Sequence, residues 1–533
     1  MITTLIISAV LTATSISNPA LLPMPEFVSW HQGSFELTEK TPICTSKAQT
    51  ALAQQFQSWL IPATGLPLNI TTRQKGNSIR LILHSDLARL GPEGYRLSVQ
   101  SKGVQISAYG PAGLFYGLQT LRQLLPVNSF GKKLTPGSLI IPCVQIEDKP
   151  RFVWRGAMID PARHFIPKPD VLNFIDAMAL HKLNHLHLHL TDDQGWRIEI
   201  KKYPLLTAVG SQRKATMLGH YDNQKWDDKP HQGFYTQKDL KDIVKYATER
   251  YITVVPEIEM PGHATAALSA YPEFGNTGKA LEVSPAWGVH TDIFNPSDRT
   301  IGFLQDVLTE VMDIFPGKFI HVGGDEVPKE QWIASPVAQA RMKELGLKNT
   351  DELQSWFIKQ MDTFLAKHNR RLLGWDEILD GGLAPGATVM SWRGISGGIK
   401  AAQSGHDVVM APTDNTYLDY YQSKNTAKEP VAIGGYLPLE TVYGYEPIPA
   451  ALDAKEGKHV LGVQGQLWAE YIPTASHLQY MAFPRLCALS EVAWSQPSAR
   501  GWASFIVRLK DHLPRLEALG INYRRLDIDA KVN

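Results

Sequence analysis

The most chemically informative stretch of the sequence is "HVGGDE", residues 321–326, in which Asp325 and Glu326 follow two glycines. The apolar residues before it predict a buried strand, so the two acids are expected where that strand ends. Paired carboxylates serve acid and base catalysis. Hydrolysis of glycosidic bonds commonly uses two carboxylates that lie about 5 Å or more apart, on separate parts of a fold. Adjacent acids do not fit that arrangement, and the mismatch needs another explanation.

Other residues suited to a binding site follow further apolar runs of the sequence. Asp192 and Asp193 come after "HLHLHL", where they could cap the next segment, bind a ligand or orient a histidine. Arg163 follows the first run, and its guanidinium can donate to two adjacent hydroxyls or pair with an acid. His263, held in a turn by Pro and Gly, is a candidate for tuning a proton donor. The later runs end at Trp375, Trp392, Tyr417, Asp419, Trp468 and Glu470.

Eight apolar runs alternate with helical patterns from Trp154 onward and predict the elements that hold these residues. The runs are "RGAMID", "HLHLHL", "ITVVPEIE", "FIHVGG", "RLLGW", "TVMSW", "DVVMA" and "LGVQGQLW". Eight strand–helix units predict a (β/α)₈ TIM barrel, whose functional residues lie at the carboxyl ends of the strands. Packing or capping is the simpler interpretation of any single residue, but it does not explain why every strand end carries one. A doubly wound open sheet is the alternative, and no glycine-rich dinucleotide motif supports it.

The residues before the barrel predict a smaller α/β domain. "IRLILHS" and "GYRLSVQSKGVQISAYG" alternate as strands do, with a tight turn at Lys102-Gly103, and "GLFYGLQTLRQLL" has helical spacing. We therefore expect a small domain at residues 21–148 and the barrel at residues 149–525.

Two groups of residues raise the possibility of metal or redox chemistry. His185, His187 and His189 alternate along one strand, but three ligands from one strand would lie in a line, so we interpret them as hydrogen-bonded barrel residues. The three cysteines, Cys44, Cys143 and Cys487, have no metal-ligand spacing. Cys44 and Cys143 could pair, or all three could be buried thiols. No cofactor motif is present.

The bulk composition narrows the class of protein. The chain has 533 residues, 44% hydrophobic and 20% charged, as in globular proteins, and its net charge of +1 gives no electrostatic footprint for nucleic acid. Residues 1–20 combine an apolar stretch with small and polar residues, which favours a signal peptide and a secreted or periplasmic protein. No basic residue precedes the stretch, so a cytoplasmic protein is the alternative. The stretch is too short to span a membrane.

The barrel segment resembles family 20 of the glycoside hydrolases, the β-N-acetylhexosaminidases. The resemblance rests on "GAMIDPARHF", "NHLHLHLTDDQGWRIEI", "VVPEIEMPGHATAAL", "HVGGDEVP", "LLGWDEI" and "GQLWAEYI", in the order of the family. The preceding segment is similar to the small domain of that family. The resemblance implies an exo-acting, retaining enzyme that removes terminal GlcNAc, and in some members GalNAc, from glycans. It implies no metal and no cofactor.

The resemblance also implies a role for each candidate residue. Glu326 matches the general acid/base, and Asp325 matches the residue that orients the substrate's own 2-acetamido group, which is the nucleophile in this family. Adjacent acids are then reasonable, because they act on different atoms of one sugar. The remaining matches are the sugar-hydroxyl ligands Arg163, Asp419 and Glu470, the pair Asp192 and His263 behind the acid, the acetamide ligand Tyr417, and the aromatic pocket of Trp375, Trp392 and Trp468, which Trp356 completes. Glu259 departs from the family pattern, which often has Asp there.

Other functions remain open at this point. A non-catalytic sugar-binding barrel is the main alternative, although intact Asp325 and Glu326 argue against it. A metal-dependent hydrolase and a conventional two-carboxylate glycosidase are the other candidates. The natural glycan, the preference between GlcNAc and GalNAc, and the oligomeric state are not determined by the sequence.

Overall fold

The computed structural model describes residues 18–73, 76–220 and 224–526. Contacts divide the described residues into two compact units. One contains residues 18–21, Pro25–Asp148 and Lys510–Ala518, and the other contains Leu22–Met24, Lys149–Leu509 and residues 519–526. Lys510–Ala518, which the sequence analysis placed with the barrel, thus groups with the first unit. Most of the expected signal peptide, residues 1–17, lies outside the described residues, so export stays a prediction.

The first unit is a mixed sheet of seven strands. In chain order these are β1 Phe27–Leu37, β2 Ile43–Cys44, β3 Ile70–Thr71, β4 Ser78–Leu83, β5 Tyr95–Gln100, β6 Gly103–Ala108 and β7 Leu139–Asp148. Two helices, α1 Thr50–Thr64 and α2 Pro111–Leu124, pack against each other through the rings of Trp59 and Phe115. The turn between β5 and β6 occupies Ser101 and Lys102, one residue before the predicted position. This segment was recognisable in the sequence as a β-hairpin because buried and exposed residues alternate along its first strand.

The second unit contains a closed barrel of eight parallel strands, as the sequence predicts. The strands are β8 Trp154–Ile159, β9 His185–His189, β10 Thr253–Glu257, β11 Phe319–His321, β12 Arg371–Trp375, β13 Thr388–Ser391, β14 Val408–Met410 and β15 Val460–Gly465. Each pairs with its neighbours in sequence, and β15 pairs with β8 to close the ring, with Gly465 opposite Ala157. Strands covered on both sides are continuous apolar runs, which is why all eight were visible in the sequence.

Helices follow most of the barrel strands. They include α3 Lys168–Leu180, α4 Gln237–Thr248, α5 Asp298–Ile314, α6 Thr350–Lys367, α7 Ser396–Gln403, α8 Arg485–Trp494 and α9 Trp502–Leu519. Other helices lie at Leu205–Ala208, Thr265–Ala270, Glu330–Ala334, Pro336–Leu345, Thr413–Thr416, Leu439–Gly444 and Ala475–Ala482. Local sequence starts α4 with a capping box formed by Thr236 and Asp239. Within the described ranges, we find no helix with the length and apolarity needed to cross a membrane.

The barrel interior is layered. An apolar layer contains Trp154, Val255, Leu373, Met390 and Val409. A polar layer is built around Glu257, whose carboxylate lies 2.9 Å from His187 Nε2 and 2.7 Å from His321 Nδ1. His189 lies 2.9 Å from Asp160. His187 and His189 are therefore hydrogen-bonded interior residues, as expected, whereas His185 stacks on Trp154.

The three cysteines are buried free thiols. The possible disulfide between Cys44 and Cys143 is therefore not formed.

Candidate active site

The carboxyl ends of the barrel strands surround a pocket of about 180 Å³. Apart from Asp192 and Trp356, every predicted site residue lines it. The lining consists of Arg163, His263, Asp325, Glu326, Trp375, Trp392, Thr413, Tyr417, Asp419, Tyr420, Ile433, Trp468 and Glu470.

The backbone after β11 explains the two glycines that precede the acid pair. Gly323 and Gly324 have φ angles of +65° and +91°, which residues with side chains rarely adopt. A Cβ on Gly323 would lie 1.7 Å from the Glu259 carboxylate. Glu326 itself has a φ of +46°, an unfavourable conformation that is typical of functional sites. The chain thus leaves the strand in a tight turn and carries both acids into the pocket.

The two acids occupy different environments beside one imidazole. Asp325 Oδ2 lies 3.7 Å and Glu326 Oε2 lies 3.6 Å from His263 Nε2. The Asp325 side chain is 11% exposed and the Glu326 side chain is 41% exposed. Burial, reinforced by nearby Glu259, raises the pKa of Asp325 well above its ordinary value, although His263 opposes the shift. Glu326 is the acid that faces the open end of the site.

His263 is fixed from behind by two aspartates. Its Nδ1 lies 3.1 Å from Asp193 Oδ2 and 3.3 Å from Asp192 Oδ1. Asp193 is itself held by Thr265, whose backbone N–H and hydroxyl both donate to it. Burial alone would lower the pKa of His263, but Asp192, Asp193 and Glu326 raise it well above the ordinary value. The imidazolium therefore presents an N–H toward the acid pair. The sequence analysis named Asp193 with Asp192 as a residue that could orient a histidine, but it matched only Asp192 to the site.

Arg163 is the best-anchored cation of the pocket. Its Nε donates to Gln194 at 2.9 Å, one terminal nitrogen lies 3.2 Å from Asp160, and the other lies 2.8 Å from Asp192. Asp192 thus lies beneath the pocket and bridges Arg163 and His263. Burial would lower the pKa of Arg163, but Asp192, Glu470 and Asp160 raise it well above the ordinary value. Asp160, another residue that the sequence analysis missed, directly follows β8 and also binds His189.

Two further carboxylates face the same region without sufficient hydrogen-bond donors. Both carboxylate oxygens of Asp419 and the Oε2 atom of Glu470 are buried and have no partner among the described residues. Burial raises the pKa of both groups, with mutual repulsion adding to the shift of Asp419. Buried acceptors of this kind need donors from a ligand, since an unsatisfied polar group is costly. A molecule with several hydroxyl groups fits these two carboxylates and the Arg163 guanidinium.

Aromatic rings form the rest of the pocket. The centroids of Trp375 and Trp468 lie 5.6 Å apart, and Trp392 stacks on Tyr417 at 6.2 Å with an interplanar angle of 21°. The indole N–H of Trp375 donates to Glu257 at 2.7 Å. Such walls enclose a flat or methyl-bearing group. Thr413, Tyr420 and Ile433 also line the pocket and were missed, because they come from loops whose path the sequence pattern does not predict.

Trp356 lies elsewhere. It belongs to α6, and its ring packs beneath the Arg341 guanidinium, 5.0 Å from the ring centroid. Arg341 in turn pairs with Asp298 at 2.5 Å. The helix directs Phe357, Ile358 and other residues of its buried face inward, and Trp356 lies beside that face. This corrects the expectation that Trp356 completes the aromatic pocket.

Several clusters have the residue types of a metal site. The described residues include three such groups beside or below the pocket, namely His187 with Glu257 and His321, His189 with Glu257 and Glu259, and Asp192 with Asp193 and His263. In the first group each imidazole already faces a carboxylate oxygen at hydrogen-bonding distance. Burial alone would raise the pKa of Glu257, but His321, His189 and His187 lower it well below the ordinary value. Hydrogen bonding and charge pairing thus account for this arrangement.

Comparison with known proteins identifies the family. A model described as "Glycosyl hydrolase family 20, catalytic domain" matches residues 152–497, and one described as "Glycosyl hydrolase family 20, domain 2" matches residues 18–149. A Beta-hexosaminidase of Porphyromonas gingivalis is 46% identical over 94% of this chain, and the chain spans only 64% of that protein's length.

Solved structures agree with this assignment. The GH20 beta-N-acetylhexosaminidase from Streptomyces coelicolor A3(2) has a TM-score of 0.83 at 35% identity, covering 95% of this chain and 97% of that chain. A mutant Streptomyces plicatus beta-hexosaminidase in complex with the product GlcNAc also has a TM-score of 0.83, at 34% identity, covering 95% and 96%. The chain therefore belongs to glycosyl hydrolase family 20, a family of hydrolytic enzymes that includes the β-hexosaminidases.

Proposed function

We propose that this protein is an exo-acting, retaining β-N-acetylhexosaminidase that uses the substrate's 2-acetamido group as the nucleophile. The substrates are glycans that end in GlcNAc or GalNAc. The family assignment and the GlcNAc complex of the Streptomyces plicatus relative support the sugar class. The closed group of Arg163, Asp419 and Glu470 supports recognition of a terminal residue, because it offers hydroxyl ligands where a longer chain would have to continue.

The observation that carries the proposal is the geometry of the acid pair. Carboxylate oxygens of Asp325 and Glu326 lie within 4.8 Å of each other and of the His263 ring. Inverting enzymes separate their carboxyl groups by roughly 6.5–9.5 Å to hold a water molecule, so this pair is too close for that route. Only Glu326 faces the open end, where a leaving group would depart. Asp325 is buried among aromatic rings, where an acetamide methyl group would fit.

In the first step, the acetamide carbonyl oxygen attacks C1 of the terminal sugar, and the bond from C1 to the leaving oxygen breaks. Glu326 donates its proton to that oxygen. Asp325 accepts a hydrogen bond from the acetamide N–H and stabilises the positive charge that develops on the oxazolinium ring. Both interactions favour the charged form of Asp325 and offset the raised pKa that it has in the empty site.

In the second step, Glu326 acts as the base. It takes a proton from a water molecule, whose oxygen attacks C1 while the bond from C1 to the acetamide oxygen breaks. The acetamide is regenerated, and two inversions at C1 give net retention. The charged His263 ring, 3.6 Å from Glu326 and 3.7 Å from Asp325, attracts the negative charge of the acid pair throughout. Because the nucleophile belongs to the substrate, the reaction is intramolecular, and effective molarities of well-oriented groups reach about 10⁵–10⁸ M.

A comparison of terminal sugars tests this proposal. Aryl β-glycosides of GlcNAc and GalNAc should be hydrolysed, while the corresponding glucoside, which lacks the acetamide, should be almost inert. A stable thiazoline mimic of the cyclised intermediate should inhibit far better than free GlcNAc. Mass spectrometry of enzyme quenched during turnover of a 2-fluoro-glucoside provides the decisive result. A sugar attached to Asp325 or another carboxylate would refute substrate assistance in favour of a covalent two-carboxylate route.

A further inference from the structure

Glu377 is a buried acid immediately behind the pocket wall. It belongs to the 3₁₀ turn Asp376–Leu379 that follows β12, and its side chain is 12% exposed. Its Oε2 accepts a hydrogen bond of 2.8 Å from the indole nitrogen of Trp392. Trp392 lines the pocket and stacks on Tyr417. Glu377 therefore touches the outer edge of the ring whose face forms the pocket.

Asp376, the neighbouring acid, makes different contacts. Asp376 Oδ2 accepts from the backbone N–H groups of Trp392 and Arg393 at 3.0 and 3.1 Å. Its Oδ1 lies 2.5 Å from Arg393 Nε. Asp376 thus holds the backbone of the segment after β13, while Glu377 holds only the indole. This division of contacts means that Glu377 can be altered without removing the anchor of the loop.

An ionisable acceptor is an unusual choice for this hydrogen bond. A neutral oxygen would satisfy an indole N–H, and burying a carboxylate beside a second carboxylate is costly. The cationic side chain nearest to Glu377 is Arg393, whose Nε is 3.7 Å away and whose side chain is 45% exposed. The charge of Glu377 is therefore only partly compensated by this neighbour, and it acts on Asp325 across the pocket wall.

We infer that Glu377 is a positioning residue of the reaction: its carboxylate fixes the Trp392 ring against Tyr417 and adds negative charge behind Asp325. The inference rests on the proposed function for its effect on catalysis. The hydrogen bond to Trp392 does not depend on that function. The hydrogen bond to Trp392 and the negative charge behind Asp325 are therefore two separate contributions to positioning, and two substitutions can distinguish them.

The electrostatic surroundings of Glu377 make its interactions with Trp392 and Asp325 sensitive to pH. Burial raises the pKa of Glu377 to about 7; Asp376 adds to the shift, while the Trp392 hydrogen bond and Arg393 oppose it. The other charged groups that interact with it are Asp325 and Lys329. Below this pKa, Glu377 is neutral and its hydrogen bond to the indole is weaker. Above it, the negative charge of Glu377 raises the pKa of Asp325.

Three variants test the inference. Glu377→Gln keeps an oxygen acceptor and loses the charge, and Glu377→Leu loses both. Asp380→Asn is the control, because Asp380 is an exposed acid in the same segment whose carboxylate lies 3.5 Å from Arg393. The probes are aryl β-glycosides of N-acetyl- and N-propanoyl-glucosamine, because a displaced Trp392 ring should tolerate the longer acyl chain. Thermal melting separates loss of folding from loss of positioning.

The expected results differ between the variants. Glu377→Leu should reduce kcat/KM for the N-acetyl substrate by about tenfold, as loss of a charge-assisted hydrogen bond commonly does, and should reduce discrimination against the N-propanoyl substrate. Glu377→Gln should keep this discrimination and should change the pH profile above about pH 7, where Glu377 is charged in the wild type, because Asp325 loses a like-charged neighbour there. Asp380→Asn should behave as the wild type. Unchanged acyl discrimination in Glu377→Leu, or identical pH profiles for Glu377→Gln and the wild type, would overturn the inference.

A readout that does not need activity separates the inference from the proposed function. The indole N–H resonance of Trp392, assigned by its loss in Trp392→Phe, should move with a midpoint near pH 7 in the wild type. It should show no such midpoint in Glu377→Gln. A resonance that does not respond to this substitution refutes positioning by Glu377. If the resonance behaves as expected but the N-acetyl substrate is not hydrolysed, the proposed function fails and the hydrogen bond stands.

Discussion

Replacement of Arg163 by lysine is the sharpest test of how the pocket binds a sugar. A guanidinium has five N–H donors in a rigid fork, and those of Arg163 are partly engaged by Gln194, Asp160 and Asp192. One hydrogen on each terminal nitrogen is left over. A free hydrogen on each of two neighbouring nitrogens suits adjacent hydroxyl groups of a pyranose ring. Lysine keeps the charge but has a single nitrogen, which cannot serve the protein acceptors and two hydroxyls together.

The expected loss follows from these hydrogen bonds. A bond to a charged group contributes about 1.5–3 kcal/mol, so losing two at the low end removes about 3 kcal/mol of binding to the transition state. This corresponds to a decrease of about 10²-fold in kcat/KM. A protein acceptor left without its donor costs a further 1–3 kcal/mol or so, which should appear as a lower melting temperature.

The assay compares Arg163→Lys with Arg155→Lys on an aryl β-N-acetylglucosaminide. Arg155 lies at the start of β8, the strand whose far end leads to Arg163; it is fully buried and donates to the carbonyls of Lys182 and Phe152. Arg155→Lys should lower the melting temperature, as Arg163→Lys does, but should leave kcat/KM close to that of the wild type. If Arg163→Lys retains kcat/KM within about threefold while folded, the guanidinium does not bind the sugar and the reasoning fails.

Three further expectations follow from the site. Glu326→Gln should lose about 10²–10⁴-fold of turnover on substrates with poor leaving groups and much less with an acidic phenol; equal losses in bond cleavage would show that Glu326 is not the leaving-group acid. Burial lowers the pKa of His263, but Asp192 and Asp193 raise it by more, so the pKa of the folded state lies above that of an unfolded histidine. The charged ring therefore contributes stability that is fully present below the unfolded pKa and is lost as pH rises through the folded pKa. The melting temperature should therefore fall more steeply with rising alkaline pH in the wild type than in His263→Gln, and parallel plots of melting temperature against pH would contradict this. Trp356→Phe should leave kcat/KM within about twofold of the wild type, because the ring packs on Arg341; a large kinetic loss would return Trp356 to the site.

The barrel was predictable because its strands carry a strong local signal. Residues 154–159 are buried without interruption, and the other runs are also mostly apolar. A strand that is buried on both faces has such a run, which can be recognised in the sequence. The chemistry at the strand ends was visible for the same reason, since a parallel barrel brings all carboxyl ends to one rim. Asp325, Glu326 and Arg163 could be chosen without knowing any distance.

The supporting residues were harder to predict, because their roles depend on register and loop path. Glu257 reads as a residue inside a strand, yet it binds Trp375, which lies two strands farther along the barrel. Ile433 comes from a loop with no regular pattern. Trp356 was misplaced because only the family resemblance assigned it to the pocket, whereas it lies on α6 and not at a strand end. Glu259 was set aside for departing from the family pattern, although its carboxylate fills the space beside Gly323.

The acid pair shows how local backbone strain separates two chemically similar groups. In a regular strand, adjacent side chains point to opposite faces, and one of the two acids would be lost to the barrel wall. Gly323, Gly324 and the left-handed conformation of Glu326 break that alternation. Both carboxylates then reach His263, but one is buried and the other is half exposed. In the proposed mechanism, burial suits Asp325 to stabilise a developing cation, whereas exposure lets Glu326 exchange a proton with a departing oxygen and an incoming water. On this proposal, two neighbouring acids acquire different functions from one change in backbone conformation.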